Sequence, residues 1–151
     1  MNYTIKQIQT IDDIDQKLTY FIYDCGEELS AMYEKTQGVR FDFRKMDLLT
    51  YARHAMFWVC FRDDQPVGIC LARLYPSVFD GVTRILMQDV LYVKPGASRA
   101  AYHLLQNFIA FGRKNADHIL TAVHYGTNLK AKSLEKLGFR EMETLFRLEN
   151  R

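Results

Sequence analysis

Residues 84–149 constrain the fold more than any other stretch of this chain. They read RILMQDVLYVKPGASRAAYHLLQNFIAFGRKNADHILTAVHYGTNLKAKSLEKLGFREMETLFRLE. The periodicity changes along this run from strand to helix to strand to helix to strand, with no linker between. Arg84 to Val93 is apolar on both faces apart from Gln88 and Asp89, which is the pattern of a central strand covered on both sides. A short turn then leads into a helix expected over Ser98 to Phe111, with Ala101, Leu104, Leu105, Phe108 and Ile109 as its apolar stripe and Gly112 near its end. A strand that feeds a helix through a short turn makes an anion pocket, because the first helical N–H groups have no internal partner. Such a pocket commonly holds a phosphate or pyrophosphate.

The remaining elements are read in the same way. His118 to His124 is a strand, Thr127 or Asn128 caps a helix that runs to Leu137, Gly138 ends it, and residues 139–148 form a last strand. Towards the N-terminus, residues 2–8 alternate enough for a first strand. Thr10 and Asp13 have the spacing of a capping box, and Ile11, Ile14, Leu18, Phe21, Ile22, Cys25, Leu29 and Met32 follow at helical spacing, with Gly26 a point where that helix breaks or kinks. Residues 36–46 are loop-like, and a short helix is expected over Asp47 to His54. Phe57–Arg62 and Val67–Leu74 flank the turn Asp63-Asp64-Gln65-Pro66 as an antiparallel hairpin. Two helices, a hairpin and a β-α-β-α-β run give an α/β sandwich with a mixed, mostly antiparallel sheet flanked by helices. At 151 residues it is expected to be a single domain over 1–151.

Charge is close to balanced overall but not along the chain. From Lys94 onward there are ten Lys/Arg against five Asp/Glu, and the first 93 residues hold ten against thirteen. A basic C-terminal half suits a polyanionic ligand, a cofactor phosphate or a nucleic acid, and equally a solvated helix face. Cys25, Cys60 and Cys70 form no CxxC pair, and that reduced-looking pattern fits the cytoplasm. The histidines are scattered without a zinc spacing, so no metal is expected. There is no signal peptide, transmembrane run or repeat, so no membrane partner is expected.

Val90-Leu91-Tyr92-Val93-Lys94-Pro95 followed by Arg99 and a helix, together with Asn128 opening a helix that ends Glu135-Lys136-Leu137-Gly138-Phe139, resembles the GNAT family, the GCN5-related N-acetyltransferases. The element order matches that family's over essentially the whole chain. The resemblance implies an acetyl-CoA-dependent N-acyltransferase that moves an acetyl group directly to an amine acceptor, either a small molecule or a protein. It also implies a homodimer as a frequent state. Leu91 and Val93 would hold the pantetheine arm through backbone groups, Arg99, Ala100, Ala101, Tyr102, His103 and Leu104 would supply the pyrophosphate cradle, and Asn128 would contact the arm or simply cap its helix. The pyrophosphate motif departs from the family pattern, because Arg99 is followed by Ala100-Ala101-Tyr102-His103-Leu104 with no glycine at either usual position. Tyr102 there either blocks the pocket or packs aside.

Acyl transfer to an amine needs a base and tolerates an acid. The resemblance makes Asp89 the base, and the other reading is a structural carboxylate satisfied by a backbone N–H, Arg84 or Arg73. For the acid, many family members carry a tyrosine four residues before the glycine of the Gly-Phe pair. Leu134 stands there in this chain, which leaves Tyr125, Ser133 or Tyr102. These departures keep two further readings open: a degenerate GNAT-like protein without ordinary acetyl transfer, of the kind found among phage virion or nucleic-acid-modifying proteins, and a pure binding module. The acceptor would be shaped by residues 26–54 and 75–83, where Tyr33, Phe41, Phe43, Tyr51, Tyr75 and Phe79 suggest an aromatic-walled slot. In that region Arg40, Arg44, Lys45 and Arg53 argue against a polycation.

Overall fold

The computed structural model describes residues 1–42, 55–122 and 129–142. Five strands lie within them: β1 (Tyr3–Gln7), β2 (Met56–Arg62), β3 (Gln65–Pro76), β4 (Arg84–Val93) and β5 (His118–Leu120). The helices are α1 (Gln16–Gln37), α2 (Ser98–Asn115) and α3 (Ala131–Lys136). The sheet order follows the chain, β1-β2-β3-β4-β5. β1 to β4 are antiparallel and β4 with β5 is parallel. This is the α/β sandwich with a mixed sheet that the hydrophobic pattern predicts.

Both faces of β2 and β3 are apolar, so each side of the sheet carries a helix. Phe57, Val59, Ile69 and Leu71 pack against Leu18, Phe21, Ile22 and Cys25 of α1. Trp58, Cys60, Cys70, Ala72 and Leu86 pack against Leu104, Phe108 and Ile109 of α2. Burying a side chain such as Phe108 or Leu104 stabilises the fold by about 1.5–3 kcal/mol each. Gly68 of β3 lies where this packing is tightest. A Cβ there would stand 2.8 Å from Val93 Cγ1 and 3.1 Å from the Tyr92 carbonyl.

Several boundaries differ from the sequence reading. Ile11–Asp13 forms only a 3-10 turn, in which the Asp13 carboxylate accepts the Thr10 N–H at 3.1 Å. The long helix starts after Asp15, whose carboxylate accepts the Leu18 N–H at 2.7 Å. Two overlapping caps lie within six residues, and the second one opens the helix. Gly26 neither breaks nor kinks α1, because it is buried on the packed face. Gly112 does not end α2 but lies inside it, at a spot where a Cβ would come 2.6 Å from Ile119. The hairpin turn Asp63-Asp64 has positive φ at both residues, +48° and +63°, which suits a two-residue hairpin connection. α3 begins at Ala131 with Lys130 at its cap, whereas Thr127 and Asn128, expected to cap it, lie outside the described residues. The expected helix over 47–54 also lies outside them, as does most of the strand expected over 139–148. Residues 139–142 carry no strand. Among the described residues, no helix is long and apolar enough to cross a membrane.

Candidate active site where two strands part

β4 is irregular at one residue. Leu71 of β3 pairs with Val90 and Ala72 pairs with Gln88, so the register shifts at Asp89, the extra residue of a bulge. Such a bulge bends the strand and shifts its side-chain alternation by one. Before it, Leu86 belongs to the α2-side core. After it, Val90 and Tyr92 pack with the α1-side core while Leu91 and Val93 pack with the α2 side.

The bulge coincides with the parting of β4 and β5. Their ladder covers Ile85↔His118, Leu86↔Ile119 and Met87↔Leu120. At the next position the contact passes to side chains, where the Thr121 hydroxyl donates to Gln88 Oε1 at 2.6 Å. From Val90 to Val93, β4 has β3 on one side and, among the described residues, no strand on the other. The Lys94 N–H donates to the Val67 carbonyl across to β3 at 2.8 Å. Backbone groups alternate along a strand, so those of Val90 and Tyr92 serve β3, and those of Leu91 and Val93 face the open side.

Asp89 is the carboxylate at this parting. Its oxygens accept from Arg73 Nε at 2.6 Å and Nη2 at 2.8 Å, a two-point pair that fixes the carboxylate plane. The aspartate side chain is 20% exposed and the arginine 55%, so the pair orients the carboxylate more than it stabilises the fold. Of the two arginines considered from sequence, Arg73 is the partner. The Arg84 N–H instead meets Asp117 Oδ2 at 2.8 Å.

Beyond Val93 the chain turns through Lys94–Ala97, with the Ala97 N–H on the Lys94 carbonyl at 3.0 Å and Gly96 at φ +78°. α2 starts at Ser98 with Ala97 at its cap and no side chain capping it. Of the first-turn donors, the Ala100 N–H already meets the Ala97 carbonyl at 2.9 Å, which leaves those of Ser98 and Arg99 without a partner inside the helix. Of the expected cradle, Arg99 therefore offers an open N–H at the helix mouth, while Ala100 and Ala101 lie in the first turn with their N–H groups turned to Ala97. Tyr102, His103 and Leu104, expected to complete the cradle, lie one turn further in, where N–H groups bond within the helix. Leu104 is fully buried in the core. The His103 ring stacks on Tyr3 at 4.9 Å, and Tyr102 stands edge-on to it at 6.2 Å. Tyr102 is 57% exposed and leans on the His103 ring, which is itself stacked on β1 at the opposite edge of the sheet from β5.

Three cations surround this turn. Arg99 is exposed at the helix start. Lys94 holds its Nζ 5.3 Å from the Phe21 ring centroid. Arg62, at the end of β2, donates from Nη1 to the Gly96 carbonyl at 3.1 Å. The reading from sequence missed Arg62, because only the sheet brings position 62 to position 96. Ser133 is exposed on α3, next to the buried Leu134. Tyr125 and Asn128 lie outside the described residues. Burial pushes the Cys25 thiol up to about 12 and the Cys60 thiol to about 11, and it raises Cys70 as well. None of the three is a nucleophile at neutral pH. Among the described residues, no cluster of His, Cys, Asp or Glu is arranged to hold a metal.

No protein-family model matches the sequence, and no curated protein matches it at a significant level. Solved structures do match. A point mutant of the BH1408 protein of Bacillus halodurans is similar with a TM-score of 0.74 at 14% identity, covering 98% of this chain and 99% of that one. An aminoglycoside acetyltransferase, HMB0005, from an uncultured soil metagenomic sample gives 0.67 at 16% identity, with 100% of both chains covered. A Trypanosoma brucei acetyltransferase gives 0.62 at 15% identity, covering 99% of this chain and 100% of that one. Full-length likeness at such low identity speaks for architecture, and the chain has the GNAT fold.

Proposed function

We propose that this protein is an N-acyltransferase that uses an acyl-CoA, acetyl-CoA first among them, to acylate an amine of a small molecule or a protein. The observation that carries the reading is the half-paired strand β4. Its bulge at Asp89, its open edge at Leu91 and Val93 and the uncapped helix after it lie in one line. A CoA thioester would supply the activated acyl group. The residues present fit such a ligand. Leu91 and Val93 offer backbone donors and acceptors to the amides of an extended arm, as a neighbouring strand would. The first turn of α2, with Arg62, Lys94 and Arg99 around it, suits a pyrophosphate. At Gly96 even an added Cβ would meet nothing within 4 Å, so the backbone is open to close approach. Asp89, held in orientation by Arg73, accepts the proton from the amine directly or through a water. Tyr125 or Ser133 would protonate the departing thiolate, and a thiolate also leaves unaided.

A second reading has its own support. The two-point clamp of Arg73 on Asp89 suits a purely structural carboxylate, and the helix mouth lacks the family's glycines. Both would fit a GNAT-like protein that binds without ordinary acetyl transfer. The first test is thermal unfolding with and without CoA. A ligand that binds only the native state adds about 2.7 kcal/mol at a hundredfold excess over its Kd. No shift at millimolar CoA would remove the acyl-CoA reading altogether. A shift without turnover on any amine would favour the second reading.

A further inference from the structure

Gln88 is a polar side chain where the sheet is otherwise apolar. It is 4% exposed, and both its cross-strand partner Ala72 and its strand neighbour Leu86 are fully buried. Its carbonyl oxygen is met by the Thr121 hydroxyl at 2.6 Å. In the parallel register, Gln88 and Thr121 are the pair that follows Met87↔Leu120. Among the described residues, the last rung between β4 and β5 is therefore made by side chains. A buried amide costs free energy unless it is bonded, and a free glutamine would have several rotamers to choose among. The Thr121 bond holds it in one, as a bar across the point where the strands part.

We infer that Gln88 and Thr121 form the end wall of the acyl pocket and limit the donor to acyl groups of two or three carbons. The inference rests on the acyl-CoA reading. On that reading, the ligand's arm runs along the open edge from Val93 towards Asp89, and the reactive carbon must lie beside the Asp89 carboxylate. At about 3.3 Å per strand residue, the bar stands a single residue beyond that point. An acetyl or propionyl group fits within that step, and a longer chain meets the bonded pair and the closed ladder behind it.

The test is binding, measured by thermal unfolding and titration calorimetry with free CoA, acetyl-CoA, propionyl-CoA, hexanoyl-CoA and octanoyl-CoA. For the unaltered chain, hexanoyl-CoA and octanoyl-CoA should bind at least about tenfold more weakly than acetyl-CoA, the scale on which a pocket rejects methylenes it cannot accommodate. Gln88→Ala should reduce that ratio to about threefold or less. Thr121→Ala, which frees the glutamine without deleting it, should reduce it part of the way. If Gln88→Ala does not fold, Thr121→Ala and the unaltered chain still decide the matter. Free CoA separates the two levels of failure. Octanoyl-CoA binding as tightly as acetyl-CoA, or a ratio unmoved by either variant, overturns the wall while free CoA binding keeps the acyl-CoA reading. No binding of free CoA overturns both.

Discussion

The two ends of β4 are built to opposite rules. At its start, Ile85–Met87 has a strand on each side, and the loop before it satisfies itself. Asp80 accepts the N–H groups of Val82 and Thr83 and the Thr83 hydroxyl, Ser77 receives Gly81 and Phe79, and Asp117 takes the Arg84 N–H. At its end, Leu91 and Val93 turn their backbone groups away from β3, and the helix that follows starts without a side-chain cap. Serine, threonine, aspartate and asparagine are common caps that supply the missing acceptor, and the entry loop shows this chain using such devices freely. Donors left open among the described residues, where closure would be easy, are the ones a bound acyl-CoA would complete on the proposed reading.

Four measurements can break or sharpen that contrast. The largest effect is expected at the junction of the two halves. Asp89→Asn should cut turnover by about 10²–10⁴-fold at neutral pH with the fold intact, and an equally active variant would hand Asp89 to Arg73 as a structural partner. Next comes the paired half. Leu86→Ala should cost about 2–5 kcal/mol of stability, since Leu86 is fully buried between β4 and α2. Folded Leu86→Ala protein should still bind CoA as the parent does, and a large loss of affinity would mean that the two ends are not independent. Hydrogen exchange then separates the halves directly. The Leu91 and Val93 amides should exchange at least about tenfold faster than those of Val90 and Tyr92, and CoA should close the gap. Equal protection without ligand would show that the open edge is already satisfied.

The smallest effect concerns the entry loop. Thr83 and Val82, donating to it, hold Asp80 below the ordinary aspartate value. A carboxyl lowered in the folded state stabilises the fold above its unfolded pKa and ceases to do so as pH falls through its folded one. The stability difference between the parent and Asp80→Ala should therefore be constant from pH 7 to about pH 5 and shrink below about pH 4. A difference that persists unchanged to pH 2 would assign the loop's order to something other than its aspartate.

Much of this architecture was legible in the sequence because it is written locally. Arg84–Val93 matches β4 residue for residue, since a strand buried on both faces must be apolar at every position. The hairpin and the stripe of α2 follow from equally short-range patterns. The bulge was half legible. Gln88 and Asp89 are adjacent polar residues in an apolar strand, which a regular alternation does not explain, but only the register with β3 shows that Asp89 has slipped out of step. The helix start was misread because Thr10-Asp13 is a sound capping signal used for a single turn. The start of α2 at Ser98 was legible, but a family pattern carried over from Arg99 to Leu104 runs past the first turn, where N–H groups are already bonded within the helix. Arg62 was not legible at all, because 34 positions separate it from the carbonyl it grips. Tyr125 and Asn128, two further expected participants, lie outside the described residues.

The three cysteines have a practical consequence. All are free and fully buried, with Cys25 under α1 and Cys60 and Cys70 under α2. A thiol-directed label cannot reach them until a layer lifts, so each one is a clock for its own side of the sheet. Labelling at Cys25 times the detachment of α1, and labelling at Cys60 and Cys70 times that of α2. Single-cysteine versions of the chain would thus report, without any added probe, whether the two helical layers come away together or in turn.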